Sequence, residues 1–421
     1  PDRTPHTGLL NVKYTYQYLQ FEQLSEQKIR IKNLHDFITT ERYQLHWQVE
    51  RDGKTVKQGQ QSVPKIKPHS STVVTLPICL PTECELGCHL NLSVTEKADT
   101  PWCKAGYEVA MKQFTLEVPI VKKSQLPPKS SLCITELGQE HLVIEGLDFS
   151  YLFSKRYGNF ISLKKNGVEL LANSTEFSVW RPAIDNERKI LLCDDGLHIH
   201  DTENFNYLKN HVYELTPKEE NESFVINVSG ILAAVGRRPL ARTNTSYTIS
   251  PNGTVTVSVQ ACIGNGVAFL PRVGFDFTLP GGQEQLCYYG RGENENYPDM
   301  KNHAKIGLYH STVTEQYEPY IKPQNHGTHT ECKRLSVSDE SGIGLLFEGE
   351  NFSFTASHFS TSHLEQASHT NELIPNEETF LKIDGAIVGV GSASCGPALD
   401  QKYMLNEKEY AFTFSFTPFV K

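Results

Sequence analysis

The densest gathering of groups able to recognise a small polar ligand is Trp180-Arg181-Pro182-Ala183-Ile184-Asp185-Asn186-Glu187. It sets an aromatic ring, a fixed cation, a carboxamide and two carboxylates on a segment that Pro182 stiffens. Rings of this kind stack on pyranose faces, and planar polar groups hold hydroxyls. The same residues also make a self-contained structural loop in which Asp185 and Asn186 cap their own backbone. Spacing alone leaves both readings open.

Other candidates are plainer. Gly389-Val390-Gly391-Ser392-Ala393-Ser394-Cys395-Gly396-Pro397 lacks the Gly-x-Ser-x-Gly elbow that a nucleophilic serine needs, so Ser394 is no obvious nucleophile. Cys395 has no adjacent histidine or basic residue to lower its pKa, and the glycines and proline around it describe a tight inter-strand loop. Gly292-Glu293-Asn294-Glu295-Asn296, running into Tyr297-Pro298-Asp299, reads as a solvated surface turn. His198 and His200 would share one strand face, and His326 and His329 lie in a glycine-containing loop. Neither pair has a cysteine or carboxylate at ligand spacing, so both read as surface or hydrogen-bonded histidines rather than zinc ligands.

The elements that must position these groups are strands. Tyr43, Leu45, Trp47 and Val49 alternate with Gln44, His46, Gln48 and Glu50, and the run ends at Arg51-Asp52-Gly53-Lys54, a two-residue hairpin signal. The same logic marks strands at Phe160-Ile161-Ser162-Leu163 before Asn166-Gly167, at Thr254 to Val259, and at Tyr410 to Phe416. Few windows carry a 3.6-residue period, and no strand–helix alternation builds a closed α/β barrel. The fold class expected is therefore all-β, built of antiparallel sandwiches. Two prolines in Val121 to Ser130 would leave ladder donors missing, which puts a boundary there. About 110 residues upstream suit an immunoglobulin-like sandwich, and the larger downstream piece suits one extended double sheet.

Composition narrows the partners. A net charge of −9, from 40 basic and 49 acidic residues without long blocks, gives no footprint for nucleic acid, and no apolar run is long enough to cross a bilayer. The 10 cysteines are scattered without zinc-knuckle spacing and read as reduced, mostly buried structural thiols. Seven Asn-x-Ser/Thr sequons, at Asn91, Asn173, Asn221, Asn227, Asn244, Asn252 and Asn351, read as by-products of a composition rich in those residues. The opening Pro1-Asp2-Arg3-Thr4-Pro5-His6 resembles neither a signal peptide nor a start of translation, so the chain is expected to begin mid-protein.

Taken in order, several segments resemble the C-terminal third to half of glycoside hydrolase family two β-galactosidases. These are Asp2-Arg3-Thr4-Pro5-His6; Trp180-Arg181 with Ile184-Asp185-Asn186; and Tyr289-Gly290-Arg291-Gly292-Glu293-x-Glu295-Asn296-Tyr297-Pro298-Asp299. Next come Tyr317-x-Pro319-Tyr320-x-x-Pro323-Gln324-Asn325-x-Gly327, Leu364-Glu365-x-Ala367-x-His369, and Ile383-Asp384 with Gly389-Val390-Gly391. The resemblance implies a connector from a catalytic barrel over 1–12, an immunoglobulin-like domain over 13–123, and a super-sandwich similar in shape to sugar mutarotases over 124–421. It further implies a parent enzyme that hydrolyses terminal β-galactosides with retention, using Mg²⁺ and possibly Na⁺ in a barrel absent from this chain. No catalytic residue and no cofactor is then expected here.

On this reading Trp180, Arg181, Asp185, Asn186 and Glu187, with Ser394 and Cys395, form substrate-proximal loops. The partners implied are the missing N-terminal and barrel domains, the β-galactoside and further copies of the chain, with neither nucleic acid nor membrane. Thiol usage and family together imply a bacterial cytoplasm. Two departures stand out: Pro182-Ala183 replaces the family's Ala-Pro, and Cys395 stands where the resemblance places an aglycone-side tryptophan. A stand-alone carbohydrate-binding module and a mutarotase-like epimerase are the rival readings. The epimerase would need a general acid and base, usually His and Glu, on one concave sheet.

Overall fold

The computed structural model describes residues 3–121, 131–190, 205–267, 269–391 and 396–421, with the side chains of 188–190 excepted. Their regular structure is overwhelmingly antiparallel strand, the all-β class expected, and they divide into two compact units.

The first unit takes 1–124 together with 291–293 and 301–309. Strand Tyr43–Arg51 buries every second residue and turns through Asp52 (φ 54°) and Gly53 (φ 75°) into Lys54–Ser62. Two consecutive positive φ values make the turn whose twist matches antiparallel strands, which is why Asp-Gly marks it in sequence. The four-stranded sheet runs Lys54–Ser62, Tyr43–Arg51, Cys88–Glu96, Glu108–Thr115; Leu19–Gln23, Lys28–Asn33 and Ser71–Thr75 form a three-stranded sheet. Leu45, Trp47 and Val49 pack with Ile29, Ile31, Leu90 and Leu92 in one core, so the unit is an immunoglobulin-like sandwich.

Residues expected to be a connector form part of a helix, Thr7–Thr15, tied down by Tyr14 Oη donating to Glu108 Oε1 at 2.7 Å. Segment 301–309, expected with the downstream piece, clusters instead with the first unit. Gln113 explains how: its carboxamide donates to Ile306 O at 2.7 Å and accepts from Ile306 N at 2.8 Å. A side chain on Gly53 would come within 2.3 Å of Leu308 Cβ, so this glycine serves both the turn and the close approach.

The second unit holds the rest. A five-stranded sheet, Cys133–Leu137 through Val168–Glu169, faces a larger one. The main path of the larger sheet runs Asn173–Ser178, Arg272–Leu279, Thr379–Ile387, Ile343–Ser357, Glu409–Val420, Val255–Ile263, Ala241–Ile249, Ser223–Ala233, Lys209–Glu220. Rings fill the space between the sheets edge to face: Phe153 meets Tyr247 at 5.3 Å, and Phe160 meets Phe416 at 5.7 Å. Such pairs need alternation on both strands, the pattern that the sequence shows at Val255, Val257, Val259 and at Phe412, Phe414, Phe416.

All the described cysteines are free thiols. Cys84, Cys88 and Cys332 are buried as expected, and burial pushes the Cys88 thiol up to about 11, but Cys79, Cys133 and Cys262 are exposed. Among the described residues no helix is long and apolar enough to cross a membrane.

Candidate functional site

Within the second unit, four loops and a short helix from distant parts of the sequence are tied together by side chains reaching for backbone. The first is Trp180 to Glu187, which leaves strand Asn173–Ser178 and enters the short helix Asp185–Ile190. Arg181 is fully buried. Its guanidinium forms a fork with Glu187, Nη2 to Oε1 at 2.6 Å and Nη1 to Oε2 at 3.2 Å, and also donates to Pro271 O and Pro182 O. Glu187 Oε2 further accepts from Ile184 N at 3.1 Å. A planar fork meeting a carboxylate is what makes such burial tolerable, because both charges and most lone pairs are satisfied inside.

The self-capping expected of Asp185 and Asn186 therefore falls to Glu187, since helix geometry brings the third residue of the turn back to the backbone. Asp185 and Asn186 instead make long-range ties. Asp185 N donates to Gln324 Oε1 at 2.8 Å, and Asn186 Nδ2 to Val390 O at 2.6 Å. Ala183 N donates to Glu365 Oε2 at 2.9 Å, from a helix, Thr361–Gln366, whose first turn Ser360 caps through His363 N. Two of the expected ligand groups, Arg181 and Glu187, thus face inward, while Asp185 is exposed and Trp180 half-buried.

The turn expected to be solvated at Gly292 to Asn296 is corrected by the structure: Glu295, Asn296 and Tyr297 are buried. Glu295 accepts from Gly327 N at 2.8 Å, from Tyr297 Oη and from Tyr320 Oη. Asn296 Oδ1 accepts from Thr330 N and Oγ1, and Tyr297 Oη accepts from Asn325 Nδ2 at 3.0 Å. The acidic run looked solvated because its partners lie some 25 to 35 positions later, beyond any local pattern. Burial, with Glu295 adding to it and Arg181 opposing it, pushes the Tyr297 phenol far up, so it stays a neutral donor.

Asp299 ends this segment and clamps the last loop. Its Oδ1 accepts from Val390 N at 2.9 Å and its Oδ2 from Gly391 N at 2.7 Å. A Cβ on Gly391 would stand 2.9 Å from that oxygen, so the carboxylate can reach the amide only because this residue is glycine. Ser394 and Cys395, expected a few residues on, lie outside the described residues, as do His198 and His200.

His326 and His329 are both buried. His326 Nδ1 donates to Gln324 O at 2.9 Å while Nε2 has no hydrogen-bond partner, and burial lowers its pKa, keeping the ring neutral. His329 bonds Gln316 and Tyr288 and stacks on Phe354. Among the described residues no group of three or more His, Cys, Asp and Glu side chains could hold a metal ion.

Sequence reasoning missed the network beneath this site. Arg272, fully buried on strand Arg272–Leu279, donates to Asp384 Oδ1 at 2.6 Å, to Asp276 Oδ1 at 2.7 Å and to Trp180 O at 3.3 Å. Lys382 joins through Asp276 at 3.4 Å. Burial works against the Arg272 charge, but the two aspartates outweigh it and hold its pKa up; burial likewise raises Asp384 against the pull of Arg272. The only signal in sequence is charge interrupting apolar strands, at Phe275-Asp276-Phe277 and Ile383-Asp384, with Gly274 leaving room where a Cβ would lie 2.1 Å from Asp384 Oδ1.

The loop-and-strand framework just described falls inside one family model. Residues 145–416, well over half the chain, match the model described as Beta galactosidase small chain, and residues 29–117 match Beta-galactosidase, domain 4. The chain belongs to the β-galactosidase small chain family. Beta-galactosidases of Actinobacillus pleuropneumoniae and Staphylococcus xylosus are 28% and 26% identical to it, over 98% and 99% of this chain. Those matches take in only 40% and 41% of the relatives, so the chain spans about two fifths of their length and corresponds to a β-galactosidase's C-terminal portion. A galactose 1-epimerase from Lactobacillus acidophilus NCFM superposes on 69% of this chain at 7% identity with a TM-score of 0.34, too loose a likeness to bear on function.

Proposed function

We propose that this β-galactosidase portion serves an enzyme that hydrolyses terminal β-D-galactosides of the lactose type with retention, and that it shapes the mouth of the active site without supplying the catalytic carboxylates. The observation that carries the reading is the tethering of Trp180 to Glu187 to the Val390–Gly391 backbone, by Asn186 from one side and Asp299 from the other. Loops that bind substrate need a rigid support, because a displacement of about 1 Å at a reacting centre can cost on the order of a hundredfold in rate. Buried Arg181, Glu187, Glu295 and Arg272 supply that support, leaving Trp180 and Asp185 as the groups able to meet a sugar.

In this proposal a barrel outside the chain provides the two glutamates and the Mg²⁺ that assists acid catalysis. Further copies complete an oligomer, and the compartment is cytoplasmic. The test is hydrolysis of a chromogenic β-galactoside by the purified chain, alone and mixed with a polypeptide supplying the N-terminal and barrel domains. Activity on mixing with silence alone supports the reading; turnover by the chain alone sinks it.

A further inference from the structure

Trp180 follows the end of strand Asn173–Ser178, and both polar atoms of its backbone are held by side chains. Its N–H donates to Ser178 Oγ at 3.2 Å, and its carbonyl accepts from Arg272 Nη1 at 3.3 Å. Both holds lead to one carboxylate. Arg272 Nη1 also donates to Asp276 Oδ1 at 2.7 Å, and the Ser178 hydroxyl, whose oxygen takes the Trp180 N–H, gives its own proton to Asp276. Strand register makes this possible: Ser178 pairs with Gly274 and Glu176 with Asp276, so Ser178 and Asp276 are diagonal neighbours on one face.

A third hold runs through Lys382. Its Nζ lies 3.4 Å from Asp276 Oδ1 and donates to Thr361 Oγ1 at 2.7 Å, at the first residue of helix Thr361–Gln366, and Glu365 of that helix takes the Ala183 N–H at 2.9 Å. The ties of Trp180 N, Trp180 O and, at one remove, Ala183 N therefore meet at Asp276. Burial pushes its carboxyl up, but Arg272 and then Lys382 outweigh burial and hold it below its ordinary value, so the charge is present at neutral pH. An ionised carboxylate only accepts, which turns the Ser178 proton toward it and leaves the Ser178 lone pair for the Trp180 N–H.

We propose, resting on the reading of Trp180 as a sugar-facing group, that Asp276 is a positioning residue: it fixes the direction in which Trp180 presents its ring, acting through Ser178 and Arg272 without touching the substrate. Holding the N–H and the carbonyl of one residue fixes the two peptide planes that flank its Cα. The half-buried ring is then left with its side-chain torsions alone, and these settle into a few staggered wells. A ring aimed in advance stacks on a sugar without first being ordered, which is where such a device lowers the cost of binding.

The whole 421-residue chain, prepared with 5-fluorotryptophan, gives one fluorine resonance for each of Trp47, Trp102 and Trp180, the last assigned by its loss in Trp180→Phe. Ser178→Ala removes the hydroxyl between Trp180 and Asp276 without changing charge, and Asp276→Asn keeps the shape while turning an amide toward Arg272 and Lys382. Both should move or broaden the Trp180 resonance and leave those of Trp47 and Trp102 in place; Ser178→Thr, which restores the hydroxyl, should bring it back. Mixed with the N-terminal and barrel domains, Ser178→Ala should raise KM for the chromogenic β-galactoside at least about threefold with kcat within about twofold, and Ser178→Thr should return it. A Trp180 resonance unmoved in both variants overturns the proposal, and so does a moved resonance with KM unchanged, because Asp276 would then hold only the strand end. If the parent shows no turnover in the mixed system, the proposed function fails, and the fluorine spectra still decide whether Asp276 aims Trp180.

Discussion

Two arginines of the second unit, Arg181 and Arg272, are equally buried and solve the same problem in different ways. Arg181 sits in a loop and finds its carboxylate six residues on, in Glu187; Arg272 sits in a sheet and finds its main partner 112 residues away, in Asp384. The loop pair is local, so one turn of chain carries its own counter-charge to wherever the loop is placed. The sheet pair closes only once strands Arg272–Leu279 and Thr379–Ile387 are in register, with Asp276 and Lys382 completing a balanced set. A local pair keeps a loop rigid; a non-local one ties a loop to the sheet, here through Trp180 O.

The difference can be broken by substitution. Arg272→Met strands a buried carboxylate and should cost about 3–5 kcal/mol of stability, seen as a fall in the urea midpoint of the chain. Adding Asp384→Leu should restore more than half of that loss, since an apolar pair replaces an ionic one. If the double variant is no better than the single, the two residues are not coupled. Arg181→Met should cost less, roughly 2–3 kcal/mol, because Glu187 keeps the Ile184 amide beside it. It should show mainly as faster proteolysis near 180–190, and an unchanged cleavage rate would mean that the pair does not hold the loop.

Glu295→Gln keeps the shape but turns an amide toward donors, at about 1–2 kcal/mol. If the proposed function holds, the mixed assay with the N-terminal and barrel domains should lose more turnover of the β-galactoside than the fall in melting temperature accounts for; a loss that only tracks stability would make Glu295 a structural residue alone. The smallest effect expected is on pH. His326 has its folded pKa lowered by burial, so the unfolded state binds more protons below about 6.5. The stability it contributes is complete above that value and is lost as pH falls through it. His326→Gln should flatten the decline in melting temperature between about pH 7 and pH 5; an equal slope in both proteins would place the proton uptake elsewhere.

Part of the site was legible in residues alone. Trp180 to Glu187 stood out because unlike groups crowd one proline-stiffened stretch, whereas the glycines and proline of Gly389 to Pro397 said only that a tight inter-strand loop lies there, with Ser394 and Cys395 as its candidates. Glu295 was misread, because an acidic run between glycine and proline has the composition of a solvated turn, and nothing nearby shows that Tyr320, Gly327 and Thr330 will close over it and Asn296. Asp299 as the clamp on Val390 and Gly391 was missed for the same reason, 91 and 92 residues of separation.

By itself the sequence determined what period and turn chemistry can carry: an all-β chain, its strands, and hairpins such as Asp52-Gly53, because side-chain alternation and positive φ are properties of neighbouring residues. Tertiary structure alone decided that Arg181 and Glu187 face inward, that 301–309 belongs with the first unit, and that buried Arg272 and Asp384 are joined by the partly exposed Asp276 and Lys382 in one charge network. The reason is that burial and ion pairing depend on which strands meet across long stretches of chain, and residue spacing holds no record of that.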